Sequence, residues 1–213
     1  MRITALTPEK RQPHLTVVEI DGARFGSISA ELVRELKLER GLELDDKRRE
    51  QLEFLADVEA SYRVATRLLA ARPRSVNEVL RKLRERGHNP SAASRAVGRL
   101  EDLGLLNDEE FSQHFARVRA ARGHGPARLL TDLLGKGVER RLAERAIDEV
   151  LAEEEFDELG QARRLAEKRI RQLGDLPATA LKRRLIQYLG RRGFRGYEVI
   201  EMVGELVRGA AST

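Results

Sequence analysis

The sequence predicts a mainly α fold: three tandem three-helix repeats forming an elongated, curved array, preceded by a small N-terminal β-hairpin and a helical extension. Three observations carry this. One pattern returns three times, as Val79-Leu80-Leu83-Gly87, Leu129-Leu130-Leu133-Gly137 and Leu185-Ile186-Leu189-Gly193, and behind each glycine apolar residues resume at matched offsets. Those residues are Ala96, Val97 and Leu100, then Ala146, Ile147 and Val150, then Met202, Val203 and Leu206. Offsets kept through three copies, with glycines 50 and 56 residues apart, mark one supersecondary unit used three times. Aromatic residues make up only 4% of the 213-residue chain and charged ones 35%, a balance that suits solvated helices better than sheets. Finally, helix start and stop residues punctuate each copy.

The extension, 1–55, opens with short β-prone runs, Ile3 to Leu6, Leu15 to Ile20 and Arg24 to Ser27, separated by Thr7, Pro8, Pro13 and the turn pair Asp21-Gly22. Asp-Gly between β-branched runs is a strong hairpin signal. Ser29 caps a helix carrying Leu32, Val33 and Leu36 that is expected to stop near Arg40-Gly41. Asp45 or Asp46 caps the next, where Leu52, Leu55, Val58 and Tyr62 recur at helical spacing, and its continuity past Asp57 is not readable. Repeat one, 56–107, continues with Val64, Ala65, Leu68 and Leu69 up to Pro73; Ser75 with Glu78 forms a capping box, and Asn89-Pro90 starts the third helix. Repeat two, 108–155, opens on Asp108, Glu109 and Glu110, buries Phe111, Phe115 and Val118, breaks at Gly123 to Gly125 and restarts at Pro126. Repeat three, 156–213, carries Leu159, Ala162, Leu165, Ala166 and Ile170; a longer first loop, Gly174 to Pro177, is expected to account for its six extra residues. The tail after Arg208 is small and polar and is expected to fray.

Several chemistries lack their residues. With no cysteine there is no disulfide, thiolate nucleophile or Cys-ligated metal, and His14, His88, His114 and His124 show no ligand spacing. Glu153, Glu154 and Glu155 are consecutive, so on a helix they diverge and cannot form an acid–base pair. Gly123-His124-Gly125 lacks the Lys and Ser/Thr of a phosphate loop. No catalytic residue, cofactor site or metal site is expected, and the protein is predicted to be soluble, intracellular and probing other macromolecules as a monomer. No run of eighteen apolar residues suggests a membrane span.

Charge is what remains. The net +5 divides into −1, +4, −3 and +5 over the four segments, and Arg outnumbers Lys 33 to 7. Forked guanidinium donors suit carboxylates and phosphates. The candidate contact residues are Arg72, Arg74, Arg81, Lys82 and Arg84 in repeat one, Arg117, Arg119 and Arg122 in repeat two, and Lys182, Arg183, Arg184, Arg191 and Arg192 in repeat three. They also suit solvated faces laced by ion pairs. An alternative is a DNA-binding regulator built on helix-turn-helix-like units, Ser75 to Leu103 first among them. Against it, Asn107 to Glu110 starts a helix where a β wing would stand, and Glu139, Glu144, Asp148 and Glu149 would repel phosphates in the second unit.

The run Arg72-Pro73-Arg74-Ser75, with Glu78-Val79, Lys82-Leu83 and Gly87, resembles the first-repeat signature of the RecX regulatory proteins. Leu103-Gly104-Leu105-Leu106-Asn107-Asp108, followed by Phe111, Phe115 and Arg119, is similar to that family's junction between repeats, with Leu106 where an aromatic usually stands. Arg128, Leu129, Leu133 and Gly137 continue the likeness, and Asp21-Gly22 before Phe25 resembles the extension of longer members. The resemblance implies a partner and no substrate: a cytoplasmic regulator that lies in the groove of the RecA nucleoprotein filament and restrains strand exchange, ATP hydrolysis and coprotease activity. It also allows weak, sequence-independent contact with DNA.

Overall fold

A computed structural model describes residues 1–174 and 176–210, in two compact units, 1–107 and 108–213. In the first unit, strands β1 (Ile3–Glu9), β2 (Gln12–Ile20) and β3 (Ala23–Ser29) form an antiparallel sheet in the order β1-β2-β3. Asp21 and Gly22 take φ of 49° and 82°, the double left-handed turn that Asp-Gly favours between twisted strands. The single hairpin of the sequence reading is thus two hairpins, because Thr7, Pro8 and Pro13 lie inside strands. Pro8 is tolerated because β1 is an edge strand, and Pro13 follows the register shift between the Pro8 and Glu9 pairs.

Ser29 Oγ accepts a hydrogen bond from Leu32 N to cap α1 (Ala30–Glu35). This helix ends before the predicted stop, since Lys37 already has φ 49°. Asp45 then caps α2 (Asp46–Ala71), which is one unbroken helix of 26 residues. Its N-terminal half covers the sheet, where Leu52 and Leu55 join Ile3, Val18, Ile20 and Ile28 in one core. Its C-terminal half is the first helix of repeat one, with Ala65 buried against Val79, Leu83, Val97 and Leu100. Residue 55, where extension and repeat were expected to meet, lies within this helix.

α3 (Val76–Arg84) starts on the expected capping box, Ser75 Oγ accepting from Glu78 N while Glu78 accepts from Ser75 N. Gly87 ends it at φ 82°, and Asn89 with Pro90 starts α4 (Pro90–Asp102). Asp57 ties that turn to α2, its carboxylate 2.6 Å from His88 Nδ1 and 2.7 Å from the Asn89 amide that donates to it.

The second unit repeats the plan twice, as α5 (Asp108–Ala120), α6 (Pro126–Gly135) and α7 (Arg140–Glu153), then α8 (Glu158–Leu173), α9 (Ala178–Arg192) and α10 (Tyr197–Ala210). The motif leucines Leu129, Leu133, Leu185 and Leu189 are buried, and Gly137 and Gly193 have φ of 79° and 93°. The six extra residues come from longer helices and not from the loop: α8 has 16 residues against 13 in α5 and α9 has 15 against 10 in α6, and shorter connections take back the excess. Asp175 in that loop is outside the described residues. The predicted fraying begins too early, because α10 includes Gly209 and Ala210; the rest of the tail is outside the described residues.

Repeats two and three meet through glycine. A Cβ on Gly125 would stand 2.8 Å from Gly193 O and 2.9 Å from the Phe194 ring, and one on Gly193 would collide with Arg128 N. Gly125 N donates to Arg192 O at 2.8 Å across this contact. The Gly123 to Gly125 break is therefore a packing surface as well as a turn.

Candidate partner-binding surface

α9 turns Leu181, Leu185 and Leu189 into the core, and the 3.6-residue period leaves Lys182, Arg183, Arg184 and Arg191 in solvent. Arg184 and Arg191, seven residues apart, lie on nearly the same line along the helix. The segment contains no Asp or Glu, so ion pairs within the helix are impossible, and none of the four has an acidic partner among the described residues. Four exposed cations on one rigid helix, Arg184 and Arg191 in line and Lys182 and Arg183 turned away from them, give α9 a broad cationic surface chemically suited to carboxylates or phosphates.

The other candidates sort differently. Arg72, at the end of α2, pairs with the Glu78 carboxylate at 3.0 Å. Arg74 donates from Nε to Leu68 O at 3.1 Å, and burial, with the Arg72 charge beside it, pulls its guanidinium below the ordinary value. Glu85 takes Lys82 at 2.6 Å and Arg81 at 3.8 Å, and those two charges hold its carboxyl below the usual range, the Lys82 hydrogen bond foremost. Arg84 is exposed and without an acidic partner among the described residues. In α5, Arg117 bridges Glu153 and Glu154 at 2.9 and 3.1 Å, and Arg119 lies 5.3 Å from the Phe115 ring centre. Arg122 is exposed, while its carbonyl and that of Gly123 accept from Arg192 Nη1 at 3.5 and 3.3 Å. Arg192 also lies over Tyr188, 5.1 Å from the ring centre, with Arg169 at 5.5 Å from the same ring. It holds repeats two and three together, unlike its neighbour Arg191. Five of the thirteen candidates thus lie on α9, four of them exposed and without an acidic partner among the described residues, and Arg84 and Arg122 stand so elsewhere.

The helix-turn-helix alternative would need free cations on α4, whose only ones are Arg95 and Arg99. Arg99 pairs with Glu59 at 2.9 Å and stacks 4.4 Å from the Tyr62 ring centre, and Arg95 lies over Phe54. Both are held by α2. No helix among the described residues is long and apolar enough to cross a membrane.

Three stretches match RecX family profiles: residues 62–100 the first three-helix domain, 107–147 the second and 157–202 the third. A protein of Halorhodospira halophila named regulatory protein RecX is 39% identical over 142 residues, 66% of this chain and 84% of that one. The Bacillus subtilis protein of that name is 28% identical over 200 residues, 93% of this chain and 74% of its own. A crystal structure described as regulatory protein RecX superposes with a TM-score of 0.73 at 21% identity, covering 96% of this chain and 98% of the other. With its three repeats matched in order and that degree of identity to named members, the chain belongs to the RecX family.

Proposed function

We propose that this chain is a non-enzymatic regulator of the RecA recombinase, binding RecA nucleoprotein filaments in their helical groove and restraining strand exchange, ATP hydrolysis and coprotease activity. Its relatives' name, regulatory protein, agrees with the reading. The observation that carries it is the α9 face, whose Lys182, Arg183, Arg184 and Arg191 satisfy nothing within the fold. A filament groove presents acidic protein surface and DNA phosphates together, and this face can meet either. Arg122 in the same unit, and Arg84 in the other, are further candidate contacts. The protein acts in the cytoplasm as a monomer, and its direct binding to DNA is weak, sequence-independent and salt-sensitive. The test is RecA's DNA-dependent ATPase with the protein titrated in. The rate falls at stoichiometric amounts, and reversing charge at Lys182, Arg183 and Arg184 weakens inhibition without changing helicity. An unchanged ATPase rate and filament stability at equimolar protein would sink the proposal.

A further inference from the structure

The third repeat carries a second surface of opposite character. Of the seven acidic residues after 155, five stand at 157, 158, 198, 201 and 205, at the start of α8 and along α10, while α9 has none. The repeat is therefore polarised, although its net charge is +5. Between α8 and the start of α10 lies a shallow cleft of about 310 Å³ lined by Glu158, Leu159, Arg195, Tyr197, Glu198 and Val199. Its apolar part is unusually exposed: Leu159, Tyr197 and, one turn on, Ile200 are 37%, 73% and 43% accessible. The Tyr197 hydroxyl donates to Glu201, one turn on along α10, at 2.7 Å.

Two acids of this cleft stand outside the ion pairs of the fold. Arg163 takes Glu205 at 3.0 Å and Arg117 takes Glu153 and Glu154, but Glu158 and Glu198 have no cationic partner among the described residues. Burial, and then the Glu198 charge, hold the Glu158 carboxyl above the usual carboxylate range. A cation brought between them would relieve both effects. Apolar side chains without a cover, beside carboxylates that the one cation of the lining, Arg195, does not pair with, define the complement: a bulky apolar residue flanked by lysine or arginine.

We infer that the cleft between α8 and α10 docks a partner segment in which an apolar anchor seats on Leu159, Tyr197 and Ile200 while flanking basic residues meet Glu158 and Glu198. This goes beyond the filament reading, which rests on the cationic α9, and its test contains no RecA, so either can fail without the other.

The probe is a dye-labelled ten-residue peptide of leucine, phenylalanine and arginine, set against the same peptide with every arginine replaced by glutamate. Fluorescence anisotropy with the full chain reads binding, and backbone amide shifts locate it. The arginine peptide binds, moving signals of residues 158–159 and 197–200, and the glutamate peptide, which the α9 cations can take, leaves those signals in place. Glu158→Lys with Glu198→Lys weakens binding about tenfold, as loss of two charge contacts should. Lys182→Glu leaves it unchanged. Tyr197→Ser, at a solvent-facing site where folding is not at stake, also weakens it. Equal shifts of residues 158–159 and 197–200 by both peptides, full affinity of the arginine peptide in the double charge reversal, or shifts by that peptide confined to other residues overturns the inference. So does a concentration-dependent dimer abolished by the same reversals, since the occupant would then be a second copy of the chain.

Discussion

Three glycine-to-alanine substitutions separate conformational strain from steric contact at the joint between repeats two and three. Gly87 and Gly193 end equivalent helices at φ 82° and 93°, but a Cβ at Gly87 meets nothing within 4 Å, whereas one at Gly193 meets the Arg128 backbone and Gly125 O at 2.7 Å. Gly125 has an ordinary φ of −84°, so alanine there is unstrained and only its contacts with Gly193 and Phe194 matter. Gly87→Ala should cost about 1–2 kcal/mol, the penalty of a left-handed residue bearing a Cβ. Gly125→Ala should cost about 1–3 kcal/mol, the range for overfilling a packed contact. Gly193→Ala incurs both and should cost about 2–5 kcal/mol, a large part of the stability of a small domain. Combining Gly125→Ala with Gly193→Ala should cost less than their sum, because the first already opens the gap that the second needs.

The assay is urea denaturation with hydrogen exchange read separately over residues 76–102 and 178–210, so each substitution is scored in its own unit. Gly193→Ala losing no more than Gly87→Ala would refute the close contact and leave only backbone conformation. A neutral Gly125→Ala would do the same from the other side.

Two further predictions concern charge. Arg192→Ala removes the donor to Arg122 O and Gly123 O and should destabilise the second unit by about 1–2 kcal/mol in urea melts, while Arg191→Glu costs less, about 0.3–1 kcal/mol from its charge at the helix end, and weakens the proposed inhibition of the RecA ATPase. Arg63 donates to both Glu9 oxygens, at 3.2 and 3.1 Å, tying β1 to α2. Burial alone would raise the Glu9 carboxyl, but the Ser27 hydrogen bond and the Arg63 and Arg24 charges prevail and hold it below the usual range. A depressed folded value contributes stability that is complete above the ordinary carboxylate range and is lost as pH falls through the folded value. The stability of the first unit should therefore drop in acid, and Glu9→Gln should flatten that part of the pH profile; an equally steep profile in the variant would rule the linkage out.

What could be read from the sequence is what is local. The capping box at Ser75 and Glu78, the Asn89-Pro90 start and the left-handed Gly87 are set by residues within four positions of one another, and all form as expected. The buried stripes follow from helical period, and so does the outward turn of the α9 cations. The pairing of arginines could not be read, because Arg117 meets Glu153 and Glu154 from 36 and 37 positions away and Arg192 meets Gly123 from 69. A list of cations is therefore not a list of free cations. The docking cleft was equally hidden: Leu159 sits at a helical core spacing, and only the packing of α8 on α10 leaves it exposed. The prolines misled for the opposite reason, since Pro8 is accepted by an edge strand and Pro13 by an irregularity in the pairing of the central one, and neither is visible locally.

The α9 cations also differ among themselves in why they can be there. Arg191 and Arg192 occupy the last turn of the helix, where positive charge is favoured by the exposed carbonyls, so their presence has a structural motive whatever they bind. Lys182, Arg183 and Arg184 lie nearer the N-terminus, beyond the first turn, with no acidic neighbour three or four residues away and no partner across the fold. Three adjacent like charges there gain nothing from the helix dipole and repel one another. Folding does not account for them, which is why the proposed function puts its external anion there. Charge reversal at 182–184 is accordingly the cleaner probe of function than reversal at 191, for it alters the surface at positions where the fold has least reason to prefer a cation.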